Sequence, residues 1–183
     1  MPDRRQIMVG GLLGCALIAL PAQAAQIMHI GDAAVLVGNG FTDRAQFLGG
    51  CDRLGRAASC HGAITSLATD SFDTPRVIAL AQQSDAFPLQ QLLRDAGYHQ
   101  TFNASHFRTG GRIEHRLYGE AALVKAVASA ISRTGANWAS ALALHLLTRS
   151  PSVPRLQSSL ELETPAHAGP AFLNSFLFER ISA

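Results

Sequence analysis

Two histidines bracket a glycine pair in His106-Phe107-Arg108-Thr109-Gly110-Gly111-Arg112-Ile113-Glu114-His115. If Gly110-Gly111 forms a two-residue hairpin loop, Thr109 faces Arg112, Arg108 faces Ile113, Phe107 faces Glu114, and His106 falls directly opposite His115. A three-residue loop would set Arg108 against Arg112, a like-charge pair that costs stability, so the first register is expected. It gathers Phe102, Ala104, His106, Ile113, His115 and Leu117 on one face, and Asn103, Ser105, Phe107, Glu114, Arg116 and Tyr118 on the other. Imidazoles on opposed strands can share a divalent metal such as zinc or copper. Such a site needs three or four ligands, and the further imidazole to hand is His99, on the preceding turn. The pair could also serve a small hydrolase as acid–base groups, because histidine titrates near neutral pH. The plainer expectation is a semi-buried, hydrogen-bonded pair with a structural task.

The leader decides how the cysteines read. Residues 1–24 combine a basic start (Arg4, Arg5), an apolar run from Ile7 to Leu20 and the small-residue ending Ala22-Gln23-Ala24. The run is shorter than the roughly 20 residues a spanning helix needs, so a secretory signal peptide with cleavage near Ala24 is expected rather than a transmembrane span. Arg4-Arg5-Gln6-Ile7-Met8 also fits the twin-arginine export pattern. Leu12-Leu13-Gly14-Cys15 resembles a lipoprotein box, but the apolar run continues past Cys15 and a small-residue cleavage site follows. In an oxidising compartment Cys51 and Cys60 are expected to form a disulfide. A nucleophilic Cys60 beside His61 is the weaker reading, since adjacent side chains usually point apart.

Residues 25–183 are the length of one domain, with enough chain to bury a core. Lys125 is the one lysine, the net charge of the whole chain is +2, and no block of arginines forms a phosphate-binding surface, so nucleic acid is not an expected partner. The sequence holds no Gly-x-Ser-x-Gly, His-Glu-x-x-His or Cys-x-x-Cys motif and no glycine-rich phosphate loop.

The elements that must position the hairpin follow from local pattern. A strand pair at 26–30 and 33–37 flanks Gly31-Asp32, and Thr42 or Asp43 can cap a short helix to about Leu54, weakened by Gly49-Gly50. Strand-like stretches occur at 63–68 and 76–80. Ser84 or Asp85 caps a helix with Pro88 in its first turn, ended by Gly97. Strands at about 98–109 and 112–118 precede an amphipathic helix at 120–133, and 138–147 alternates as a strand would. The order β-α-β-β-α-β over about 75–148 predicts an α+β fold of ferredoxin-like type. Residues 155–164 and 171–181 read as further antiparallel strands, with a helix as the competing reading of the second.

Together these features predict an exported, periplasmic, non-enzymatic binding or accessory module of the bacterial envelope, whose partner is an envelope protein or cell-wall component. The alternative is a small periplasmic hydrolase or metal-binding protein using the His106/His115 face.

Overall fold

A computed structural model describes residues 28–30, 33–54, 74–149, 156–165 and 167–180. The expected signal peptide, the strand at 63–68 and Cys60 lie outside the described residues, and so does the proposed Cys51–Cys60 bond. The fold is α+β. Strands β1 (Met28–Ile30), β2 (Ala33–Val37), β3 (Arg76–Gln82), β4 (Tyr98–Thr109), β5 (Arg112–Glu120), β6 (Gln157–Pro165) and β7 (Phe172–Arg180) form one sheet in the order β1-β2-β3-β7-β4-β5-β6. β2 and β3 are parallel, and every other neighbouring pair is antiparallel.

Helices α1 (Asp43–Asp52), α3 (Ala121–Thr134) and α4 (Trp138–Thr148) cover one face of the sheet, and α2 (Gln83–Asp95) covers part of the other. Strand composition follows this arrangement. β2, β3 and β7 are buried on both sides and nearly continuously apolar, as in AAVLV and RVIALAQ. β5 and β6 have only one covered face and alternate between inward apolar and outward polar residues. Among the described residues no helix is long and apolar enough to cross a membrane.

Three expectations need correction. Residues 138–147 are not a strand but α4, whose Trp138, Ala139, Ser140, Ala141, Leu142, Ala143, Leu146 and Leu147 are all buried. A helix enclosed on nearly every side has no polar stripe, so its 3.6-residue period leaves little trace in the sequence. Its alanines and leucines favour the helical backbone regardless. The ferredoxin-like order is therefore not what forms. The slot between β3 and β4 is taken by β7, which pairs Ile78 with Leu177 on one side and Phe102 with Leu177 on the other. Finally, α2 begins at Gln83, so Pro88 stands inside the helix rather than in its first turn.

The close fit of α4 depends on a glycine. A Cβ on Gly50 of α1 would lie 2.4 Å from the Ser140 carbonyl oxygen and 3.0 Å from Ala143 Cβ. The Gly49-Gly50 pair that weakens α1 as an isolated helix is thus what lets α1 and α4 cross closely.

Candidate functional site

Gly110 and Gly111 both take positive φ, 56° and 80°, which suits a two-residue hairpin turn of type I′. The expected register follows: Thr109 pairs with Arg112, Arg108 with Ile113, Phe107 with Glu114 and His106 with His115. Counting outward from the loop makes His106 and His115 a non-hydrogen-bonded pair, the kind in which opposed side chains approach most closely. Both lie on the helix-covered face with Phe102, Ala104, Ile113 and Leu117, and both are 0 % exposed.

The two rings meet through their Nδ1 atoms, 2.7 Å apart. His106 Nε2 lies 2.9 Å from Ser175 Oγ, and His115 Nε2 lies 2.9 Å from Thr164 Oγ1. Ser175, His106, His115 and Thr164 belong to β7, β4, β5 and β6, four consecutive strands of the sheet. The result is one polar row crossing the strands beneath the helices.

Trp138 closes the row from α4, its ring centroid 4.3 Å from that of His106 and 5.0 Å from that of His115. Its Nε1–H donates to Asp43 Oδ1 at 3.1 Å. Arg108 Nη2–H donates to both oxygens of the same carboxylate, at 3.1 and 2.9 Å, and Nη1–H donates to the Pro170 carbonyl at 2.6 Å. Asp43 is itself buried, in the first turn of α1, where the helix dipole favours a negative charge.

Burial is the main reason both imidazoles resist protonation. His106 is held well below its ordinary value by desolvation, then by the nearby His115 and Arg108. His115 is lowered to about 3 by desolvation and by Arg108. Each ring is therefore neutral across the ordinary pH range, with one N–H to donate and one nitrogen to accept. If His106 Nδ1–H donates to His115, then Ser175 O–H donates to His106 and His115 Nε2–H donates to Thr164. Reversing the central bond reverses all three.

Searched against protein-family models, curated proteins and solved structures, the chain matches none.

A shared metal would have to break this row, because all four ring nitrogens already face protein partners. The structure also leaves His99 apart from the pair. It is exposed near the start of β4, paired with Glu179, and seven strand residues from His106 amount to about 23 Å. Among the described residues no three of His, Cys, Asp and Glu gather as a metal cluster. Cys51 is buried in α1. A surface groove of about 290 Å³ lies between α3 and α4, lined by residues that include Glu120, Leu123, His145 and Arg149; neither His106 nor His115 borders it.

Sequence reasoning finds the histidine pair and misses its partners. Ser175 and Thr164 join it only through strand pairings remote in sequence. Trp138 joins it because residues 138–147 are helical, and Asp43 reads from sequence as a helix-capping residue. The usable signal is parity: Arg108 shares its side of β4 with His106, so a charged residue on an apolar face needs a buried partner of opposite sign.

Proposed function

We propose that the chain is an exported, non-enzymatic binding or accessory module of the bacterial envelope. The carrying observation is that its most concentrated chemistry, the His106/His115 pair, is wholly internal and bonded to protein at every ring nitrogen. The leader at 1–24 supports export. The absence of a nucleophile or phosphate-loop motif in the sequence supports a binding role.

The uncovered face of β4, β5 and β6 is the surface best suited to a partner. Tyr118 is 54 % exposed there. Arg116 lies over the Phe107 ring at 5.1 Å and bonds to Glu114, and Arg112 bonds to Glu163. The charges on this face are thus largely matched within the chain, while the exposed aromatic ring of Tyr118 is left for a partner. Aromatic side chains with a polar end are common at binding surfaces.

Photo-cross-linking in cells from a reactive residue at position 118 tests this reading. An adduct with an envelope protein or a cell-wall fragment, recovered from the periplasmic fraction, is the expected result. Purification from the cytoplasm alone, or about one zinc or copper per chain lost in a His106→Ala/His115→Ala variant, would overturn it in favour of an intracellular role or the metal-binding alternative.

A further inference from the structure

β6 ends the sheet, with β5 on one side and no described strand on the other. The Ala121 N–H donates to the Leu156 carbonyl at 2.9 Å, and Glu120 pairs with Gln157. This fixes which backbone groups point where, because alternate residues of an antiparallel strand bond to opposite sides. Leu156, Ser158, Leu160, Leu162 and Thr164 turn theirs toward β5. Gln157, Ser159, Glu161 and Glu163 turn theirs to the bare edge. Pro165 shares their parity, and the N–H it lacks would have pointed outward.

The side chains divide in the same way. Leu160 and Leu162 pack against the core but remain partly exposed, and Leu156, on the same side of the strand, is 80 % exposed. Glu161 and Glu163 lie on the uncovered face, 3.5 Å from Arg116 and 2.9 Å from Arg112. The edge therefore combines a hydrogen-bonding ladder that no described strand pairs, an apolar strip that stops short, and carboxylates already matched by their own chain.

We propose that β6 pairs antiparallel with β6 of a second copy, in the register that places Leu160 on the twofold axis. In that register Ser159 faces Glu161 of the second copy and Gln157 faces its Glu163, so no two like charges are opposed. Leu160 meets its own copy across the axis, and Leu156 lies diagonal to the second Leu162, which covers the apolar strip. The neighbouring registers are worse. Placing Glu161 on the axis opposes two carboxylates and sets Gln157 against Pro165, which has no N–H to give. Placing Leu162 there opposes Glu161 to Glu163 twice. Placing Ser159 there avoids charge opposition but carries Glu163 beyond the end of the second strand. The sheets of two copies would then run together through an isologous contact.

Sedimentation velocity on the chain as isolated from cells, from about 1 to about 100 µM, is expected to show a dimer that dissociates on dilution. Ser159→Pro removes an outward N–H without touching the β5 ladder, and is expected to weaken the dimer about tenfold or more. Ser159→Lys sets an ammonium against Glu161 of the second copy, and is expected to tighten it. A wild-type monomer over the whole range overturns the proposal, as does a folded Ser159→Pro variant that dimerises unchanged. Should that variant not fold, amide exchange in the wild-type chain decides. Ser159, Glu161 and Glu163 are expected to gain protection as concentration rises while Leu160 and Leu162 stay constant, and unchanged exchange at the first three overturns the proposal.

Discussion

His115→Ala removes one ring from a row in which each member satisfies the next. It leaves His106 Nδ1 and Thr164 Oγ1 without partners in a dry site and opens a cavity beside Trp138. The expected loss is about 2–4 kcal/mol of stability, read from denaturant unfolding. Replacing both histidines by leucine removes the polar groups together, and is expected to cost less than the two single leucine variants summed, with a coupling of about 1–3 kcal/mol. Asp43→Ala should be harsher, about 3–5 kcal/mol, because Arg108 would remain buried with its charge unmatched and the Trp138 N–H would lose its acceptor. Acid should act through the same residues. Both imidazoles hold protons less readily in the folded chain than at the ordinary 6.5. Their contribution to stability is complete above that pH, and it falls as the pH drops below about 6.5, down to about 3 for His115, while the unfolded chain takes up protons that the folded chain refuses. With two groups the slope approaches about 2.7 kcal/mol per pH unit. Equilibrium unfolding at a series of pH values checks this, and the His106→Leu/His115→Leu variant should flatten the profile.

At the scale of elements, the contact between α1 and α4 carries a sharp expectation. Gly50→Ala should raise intrinsic helix propensity yet destabilise the protein by about 1–3 kcal/mol, because backbone of α4 occupies the space the methyl group needs. Gly49→Ala meets nothing within 4 Å and should be neutral or stabilising, which makes the pair an internal control for thermal unfolding. The elements also show what sequence can and cannot reveal. The β4–β5 hairpin is legible to the residue because two adjacent glycines and a like-charge penalty leave one register, and that register brings the histidines together. α3 is legible because one face is wet. α4 is not, since burial on almost every side erases the periodicity that distinguishes a helix from a strand. Ser175 and Thr164 stay invisible for another reason: their place beside the histidines depends on which strands become neighbours, and no local pattern encodes that.

For the whole molecule, the uneven covering of the sheet separates stability from recognition. β2, β3 and β7 are enclosed on both faces, whereas β4, β5 and β6 expose one face. Tyr118→Ala on that face should leave stability within about 0.5 kcal/mol and yet reduce the yield of cross-linked partner in cells. Equal losses of stability and adduct would instead assign Tyr118 to the fold.

The central place of β7 has a kinetic side. β3 and β4 are joined by a single helix, but each must wait for a strand that follows all the other described strands in sequence before its inner edge is paired. Until residues 172–180 insert, the nascent sheet is split into two unpaired halves, with a gap where Ser175 belongs and His106 lacking its hydroxyl partner. Such distant pairings slow folding and leave the chain open, with exposed strand edges that holdase chaperones recognise. A chain ending at Pro170 should therefore stay expanded and protease-sensitive, and adding residues 171–183 as a separate peptide should restore compactness by strand insertion.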